Sequence, residues 1–397
     1  MKTEIYLDNN ATTHLSGAVR ESLAVAISEN LGNASSSHRS GEKTRRLITQ
    51  ARDSVAHMIG APSKSVVFGS GATELNGLVI SQLLRRRRKM RLVTTEVEHS
   101  CVLRTAEWLE SEGVEVTRIP VHPSGRIDVK ILAFAVSSET SLVSIQWVNN
   151  ETGVVQPIRE ITEICSREGV PFHCDAAQAM GKIEIDFASS DIDYLTVSAH
   201  KMHGPAGIGA LCMKEPKSLA PLLHGGDQEH GLRPGTENTL GIIGFGQAAQ
   251  ERANSLRETI NFVTKLRDSF ESLVLASLSQ VKINGSIEHR VCNTTNMLFP
   301  GLDGAAIVAL LDRAGIRCSQ SSACTSNRPE PSYVLRAMGL SEEEAFASVR
   351  FSFSNQNTMS DVEIAASNVV AIVEQLSGFQ PRQAIIDSVK GAVKHEV

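Results

Sequence analysis

Five short stretches carry residues that could do chemistry, and four of them follow strand-like runs. In "SAHKMHGPAG", residues 198–207, Lys201 is flanked by Ser198, His200 and a Gly/Pro-rich turn. A lysine amine attacks an aldehyde only when it is neutral and held in place. Pyridoxal phosphate supplies such an aldehyde, and neighbouring hydroxyl and imidazole groups can hold its phosphate. A lone lysine in a turn is ordinarily a surface charge, so the assignment depends on its company. In "DAAQ", residues 175–178, Asp175 would project at the mouth of a sheet. A carboxylate there keeps a pyridinium nitrogen protonated and makes the ring an electron sink. Alone, Asp175 would read as a helix N-cap. "GSGATELN", residues 69–76, is a Gly-rich turn opening a helix, with backbone N–H groups and Thr73 aimed at an anion. In "EVEHS", His99 follows a strand, where an imidazole can stack on a cofactor ring or move protons. The fifth stretch, "RCSQSSACTSNRPEPSYVL", sets Cys324 among serines and ahead of Pro329 and Pro331, a loop composition.

The elements that must position these residues alternate. Strand-like segments are "SVVFGS", "RLVTTEV", "VEVTRIPV", "TSLVSIQWV", "VPFHCDA", "YLTVSAH" and "IGALCMK", with helical patterns over 73–84, 101–112 and 158–168 between some of them. This predicts an α/β domain with a mixed, mostly parallel seven-stranded sheet covered by helices, in which ligands bind at the carboxyl ends of the strands. The last two strands, joined by "KMHGPAG", read as a hairpin. A long helical pattern over 240–278 then leads into a smaller α+β region with strands in "QVKING", "CNTTNMLF", "AGIRCSQ" and "SVRFSFS" and helices near 304–314 and 360–376. The expected division is a large domain over 15–257 and a small domain built from 1–14 and 258–397.

Composition restricts the function classes. The chain has 397 residues, 41% apolar and 21% charged, with a net charge of −5, which gives no global reason to expect nucleic-acid or membrane binding. It lacks both an 18-residue apolar run and the apolar core of a signal peptide, so a cytoplasmic location is expected. The seven cysteines include no Cys-x-x-Cys pair, which argues against a disulfide framework or a zinc site. Most of them, Cys101 included, read as small core residues. Cys324 fits that description least. The basic run "RRRRKMR" at 85–91 reads as a solvated loop or, more sharply, as a docking patch.

Together these residues resemble a family, the cysteine desulfurases of the NifS/IscS type among the class V, fold-type I pyridoxal-phosphate enzymes. The resemblance runs nearly end to end, through "YLDNNATT", "GNASSSH", "GATE", "VNNETGVVQPI", "DAAQ", "HKMHGPAGIGAL", "GLRPGTEN", "SSACTS", "EPSYVLRAMGL" and "VRFSFS". It implies that Lys201 carries pyridoxal 5'-phosphate, that Asp175 pairs with the ring nitrogen and that Gln178 donates to the ring hydroxyl. His99 becomes the stacking acid/base residue. Thr73, Ser198 and His200 become phosphate ligands, joined by Thr236 from the second subunit of a homodimer. Asn150 and Arg350 hold the substrate, Arg350 gripping the α-carboxylate as a planar fork. Cys324 is the nucleophile that takes sulfur from L-cysteine, leaving L-alanine, and passes it to an acceptor protein.

Three departures stand out: Asp227 and His230 replace a usual Gly and Arg, Ser321 replaces a usual Gly, and Arg328 and Pro329 restrict the cysteine loop. Rival readings are a selenocysteine lyase or another class V enzyme, and a catalytically dead partner-binding protein. Iron–sulfur assembly, tRNA thiolation and DNA phosphorothioation are the routes the resemblance implies for the sulfur, with a leaning toward the DndA branch. Neither a membrane nor direct nucleic-acid binding is expected.

Overall fold

A computed structural model describes residues 4–85, 90–215, 219–320 and 330–378. The chain opens with β1 (Ile5–Tyr6), α1 (Gly17–Ser28) and α2 (Arg39–Met58). The alternating stretch follows: β2 (Val66–Gly69), α3 (Ala72–Ile80), β3 (Arg91–Thr95), α4 (Ser100–Ser111), β4 (Glu115–Ile119) and α5 (Val129–Ala135). It continues with β5 (Leu142–Gln146), α6 (Ile158–Glu168), β6 (Phe172–Asp175), β7 (Tyr194–Ser198) and β8 (Gly209–Met213). Helix α7 (Thr239–Ser277) leads to β9 (Lys282–Ile283), β10 (Thr294–Leu298), α8 (Gly304–Arg313), β11 (Ile316–Arg317) and β12 (Ser319–Gln320). The described chain closes with α9 (Tyr333–Ala337), α10 (Glu342–Phe346), β13 (Ser348–Ser352) and α11 (Met359–Gly378).

All seven strand-like segments join one sheet, in the order β2-β8-β7-β6-β5-β3-β4. Strands β3 to β7 run parallel, and β8 is antiparallel to both β7 and β2, so the expected hairpin is present. Most of these strands are continuous apolar runs because helices cover both faces. A four-stranded sheet, β12-β13-β10-β9, forms later in the chain, and β1 pairs in parallel with β11. The segment "AGIRCSQ" divides at Cys318 between these two sheets.

Helix α7 joins the layers. Near its start, a Cβ on Gly246 would lie 2.5 Å from the Ala51 Cα of α2, so only glycine permits this approach. Near its end, Phe270 packs 4.8 Å from Phe351 and 5.4 Å from Phe353, in and just after β13. The helix expected over 73–84 stops at Ile80 and tightens into a 3-10 turn over Ser81–Arg85. The remainder of the basic run, 86–89, lies outside the described residues, as do Cys324, Ser321, Arg328 and Pro329. Among the described residues, no helix is long and apolar enough to cross a membrane.

Candidate active site

The carboxyl ends of β6 and β7 supply the centre. Asp175 is the last residue of β6, and Lys201 closes a 3-10 turn, Ala199–Lys201, directly after β7. That turn folds tightly: a Cβ on Gly204 would meet the Ala199 carbonyl oxygen at 2.9 Å. Asp175 caps no helix, contrary to the simplest reading of "DAAQ". The next residues form turns, and its Oδ1 accepts from the Ala177 N–H at 3.0 Å. Its Oδ2 accepts from Asn76 Nδ2 at 2.7 Å. A carboxylate that is 6% exposed, with no ion pair among the described residues, is costly to bury. A cationic guest would offset that cost.

The remaining cofactor groups fit the same guest. Gly71, φ 155°, starts α3 without a side-chain cap, so the first N–H groups of that helix meet no capping oxygen. A Cβ on Gly71 would meet nothing within 4 Å, which leaves open space at that end. Thr73 is exposed on the first turn of α3. Ser198 is 2% exposed, and its hydroxyl has no hydrogen-bond partner among the described residues. His200 shares a hydrogen bond with Thr12 Oγ1 at 3.1 Å. Burial, then Lys201 and Lys182, lower its pKa to about 4, so it is a neutral imidazole. Pyridoxal phosphate therefore suits the donors and the unpaired acid present here.

His99 is the N-cap of α4, a role absent from the sequence reading. Its Nδ1 accepts from the Cys101 N–H at 3.2 Å and lies 3.0 Å from Cys101 Sγ. An Nδ1 that accepts a backbone N–H leaves the ring proton on Nε2 in the neutral form. Burial and Lys201 lower the His99 pKa, while Asp175 opposes them. Cys101 is no plain core residue. Burial, then Asp175, push its thiol up to about 12, so it stays protonated. Asn76 Nδ2 reaches its sulfur at 3.4 Å. One hydrogen-bonded chain thus runs Asp175–Asn76–Cys101–His99. Sequence could have exposed it only through the i, i+2 spacing of His99 and Cys101.

A second missed residue is Asn10, in the "YLDNNATT" loop. Its carbonyl accepts from Lys201 Nζ at 2.6 Å and from Gln178 Nε2 at 2.9 Å. Its side chain donates to the Asn150 carbonyl at 3.0 Å and to Thr294 Oγ1 at 2.8 Å. Lys182, also missed, donates to Gln178 Oε1 at 2.6 Å and so fixes which way that amide faces.

Arg350 and Asn150, the residues expected to hold substrate, lie across the loop. Arg350, on β13, donates to the Asn150 carbonyl at 3.1 Å and forms an ion pair with Asp8 at 2.6 Å. Arg350 Nε and Asn150 Oδ1 are both buried without a partner among the described residues. Strand β12, the last described element before the segment that carries Cys324, pairs Ser319 with Arg350 on β13. That segment returns at Ser332, whose hydroxyl donates to buried Glu151 at 2.5 Å, and at Tyr333, which donates to the Glu98 carbonyl at 2.7 Å. Burial raises the Glu151 pKa to about 7 and that of Glu98 to about 8.

Thr236 is exposed before α7, without a hydrogen bond among the described residues. Around the departure at His230, Glu229 and His230 take φ of 50° and 60°, in the left-handed region. Arg52 holds the buried Glu229 carboxylate with two bonds, 2.8 and 2.6 Å, and the Phe68 N–H adds a third at 2.7 Å.

Comparison with known proteins gives a consistent set. The family model described as Aminotransferase class-V matches residues 5–364. A cysteine desulfurase of Nostoc sp. is 41% identical over 378 residues, covering 95% of this chain and 94% of that one. A solved NifS-like protein superposes with a TM-score of 0.88 at 32% identity, covering 94% of this chain and all of the other. DndA from Streptomyces lividans superposes with a TM-score of 0.75 at 33% identity, covering 88% of this chain and 99% of that one.

Proposed function

From the premise that the chain belongs to the aminotransferase class-V family, we propose that it is a cysteine desulfurase dependent on pyridoxal phosphate. The observation that carries this reading is the pairing of β12 with β13, which starts the Cys324 segment beside Arg350. An aminotransferase has no use for a nucleophilic cysteine.

In this reading Lys201 holds the cofactor, Asp175 faces its ring nitrogen and Gln178 its ring hydroxyl. Thr73, Ser198 and His200 take the phosphate with the open start of α3. Thr236 serves the second subunit of a homodimer, which its exposure supports. When bound, the cofactor withdraws electrons from the substrate Cα. Arg350 grips the α-carboxylate of L-cysteine and Asn150 helps to hold the substrate, each with a buried atom, Nε and Oδ1, that has no partner among the described residues. Lys201 takes the Cα proton. Cys324, as thiolate, attacks the substrate sulfur: its S–S bond forms as the substrate Cβ–S bond breaks. His99, with its proton on Nε2, acts as a donor beside the departing thiol. The sum is L-cysteine plus Cys324 thiol giving L-alanine plus Cys324 persulfide.

The persulfide then passes to an acceptor protein, and the likeness to DndA supports DNA phosphorothioation among the possible routes. The division into 15–257 and a small domain of 1–14 with 258–397 suits this scheme, and the pairing of β1 with β11 supports it. A cytoplasmic location belongs to the same reading, supported by the free thiols of six described cysteines. The test is Cys324→Ser. The purified variant should stay yellow and release no sulfide from L-cysteine under thiol reductant; sulfide release at the wild-type rate refutes the reading.

A further inference from the structure

One cavity in the fold gathers cations and no acid. Lys182, Lys201 and Arg252 line it with Asn9, His203 and Cys292, and no Asp or Glu is among its described lining residues. Arg252 projects from α7, is 7% exposed, and makes no hydrogen bond or ion pair among the described residues. Lys182 is 9% exposed and donates only to amide oxygens, Asn10 Oδ1 at 3.2 Å and Gln178 Oε1 at 2.6 Å. The ammonium has three N–H groups, so one remains for a guest.

The charges offer no internal remedy. Glu251, the carboxylate that acts on Arg252, is turned to Ser16 Oγ at 2.5 Å and does not line the cavity. Burial raises the Cys292 pKa, so its sulfur is not a ready anion. Burial also lowers the Lys182 pKa to about 7, and the nearby Lys201 adds to the effect, as expected for a buried ammonium close to a second cation. A buried guanidinium left unpaired is unfavourable, and a bound anion offsets that cost. The space is small, 20 Å³ for the centre of a water-sized guest, against roughly 10–15 Å³ for one water. A single monatomic ion fits.

We propose that this cavity is a halide site, holding one chloride between Arg252 and Lys182. The ion supplies the missing charge between α7 and the turn after β6, behind the Gln178 amide that Lys182 orients. The site does not depend on the desulfurase reading, because that reading gives neither Arg252 nor Lys182 a contact with substrate.

Crystals of the holoenzyme grown in sodium bromide test it directly. An anomalous bromide peak within hydrogen-bond reach of both Arg252 and Lys182 is expected; a water with no anomalous signal there overturns the proposal. In solution, the holoenzyme should melt a few degrees higher in potassium chloride than in potassium gluconate of equal ionic strength. The difference should saturate with chloride and vanish in Arg252→Met, or in Arg252→Gln if the first variant does not fold. Equal melting of the wild type in the two salts, or a difference that persists undiminished in the variant, overturns it as well.

Discussion

The two sides of the active site treat their polar groups differently. On the cofactor side, Asp175, Asn76, Cys101 and His99 are tied to one another and Gln178 is held by Lys182 and Asn10, with Asn76 Oδ1 and the Ser198 hydroxyl left over. On the substrate side, the unpartnered atoms belong to the binding groups themselves: Arg350 Nε and Asn150 Oδ1 are buried with no partner among the described residues. The first arrangement is pre-organised: its geometry is fixed before any guest arrives. The second keeps hydrogen-bonding capacity for a ligand that comes and goes each turnover, and accepts the cost of leaving it unused in between. A resident group and a transient one thus leave different marks on the same cleft.

Variants can break this comparison. Asp175→Asn removes the charge facing the ring nitrogen, and activity should fall by on the order of 10²–10³-fold or more. The loss should appear in kcat, with an altered visible spectrum. Arg350→Gln should lower kcat/KM by roughly 10²-fold through the loss of charge-assisted bonds, while the spectrum of the bound cofactor stays unchanged. A spectral change in Arg350→Gln would erase the distinction between the two sides.

The next effect is on stability and its pH dependence. Glu151 is 3% exposed and its pKa is raised to about 7 from 4.5. The folded state therefore holds a proton that the unfolded chain releases, and the associated stability is full below pH 4.5 and is lost as pH rises through 7. Glu151→Gln keeps an oxygen for Ser332 and removes the titration. Its stability relative to wild type should climb between pH 5 and pH 8, by up to about 3 kcal/mol, read from urea unfolding at several pH values. A parallel pH profile for the two proteins would show that Glu151 is ionised in the fold. The smallest effect is expected from Cys101→Ala, a loss of a few-fold in kcat with a moved acid limb of the pH–rate profile as His99 loses the thiol. Cys101→Ser should restore the profile.

The large sheet was legible because its strands are apolar runs bounded by turn residues, and buried parallel strands must be written that way. The reading assigned no element to α1 and α2. Their buried positions, such as Ile48, Ala51 and Val55, do recur at helical spacing, but Arg, Lys and Glu dilute the signal between them. In the site, Lys201 and Asp175 were legible because a strand's end announces where its next residues go. Asn10, Cys101 and Lys182 were not, because their roles come from partners far along the chain or across a turn. Asn10 meets residues 140, 168 and 284 positions away, a set no local pattern encodes.

That reach has a consequence for how the enzyme is made. The Asn10 N–H bonds to Ser352 Oγ, 342 residues later. At 5–20 residues per second, the ribosome needs roughly 20–70 s to deliver that partner. Until then the N-terminal loop cannot lock, and Lys201 lacks the carbonyls that hold its amine. The nascent chain carries its reactive groups unassembled, and the site comes into being only after Ser352 has been made.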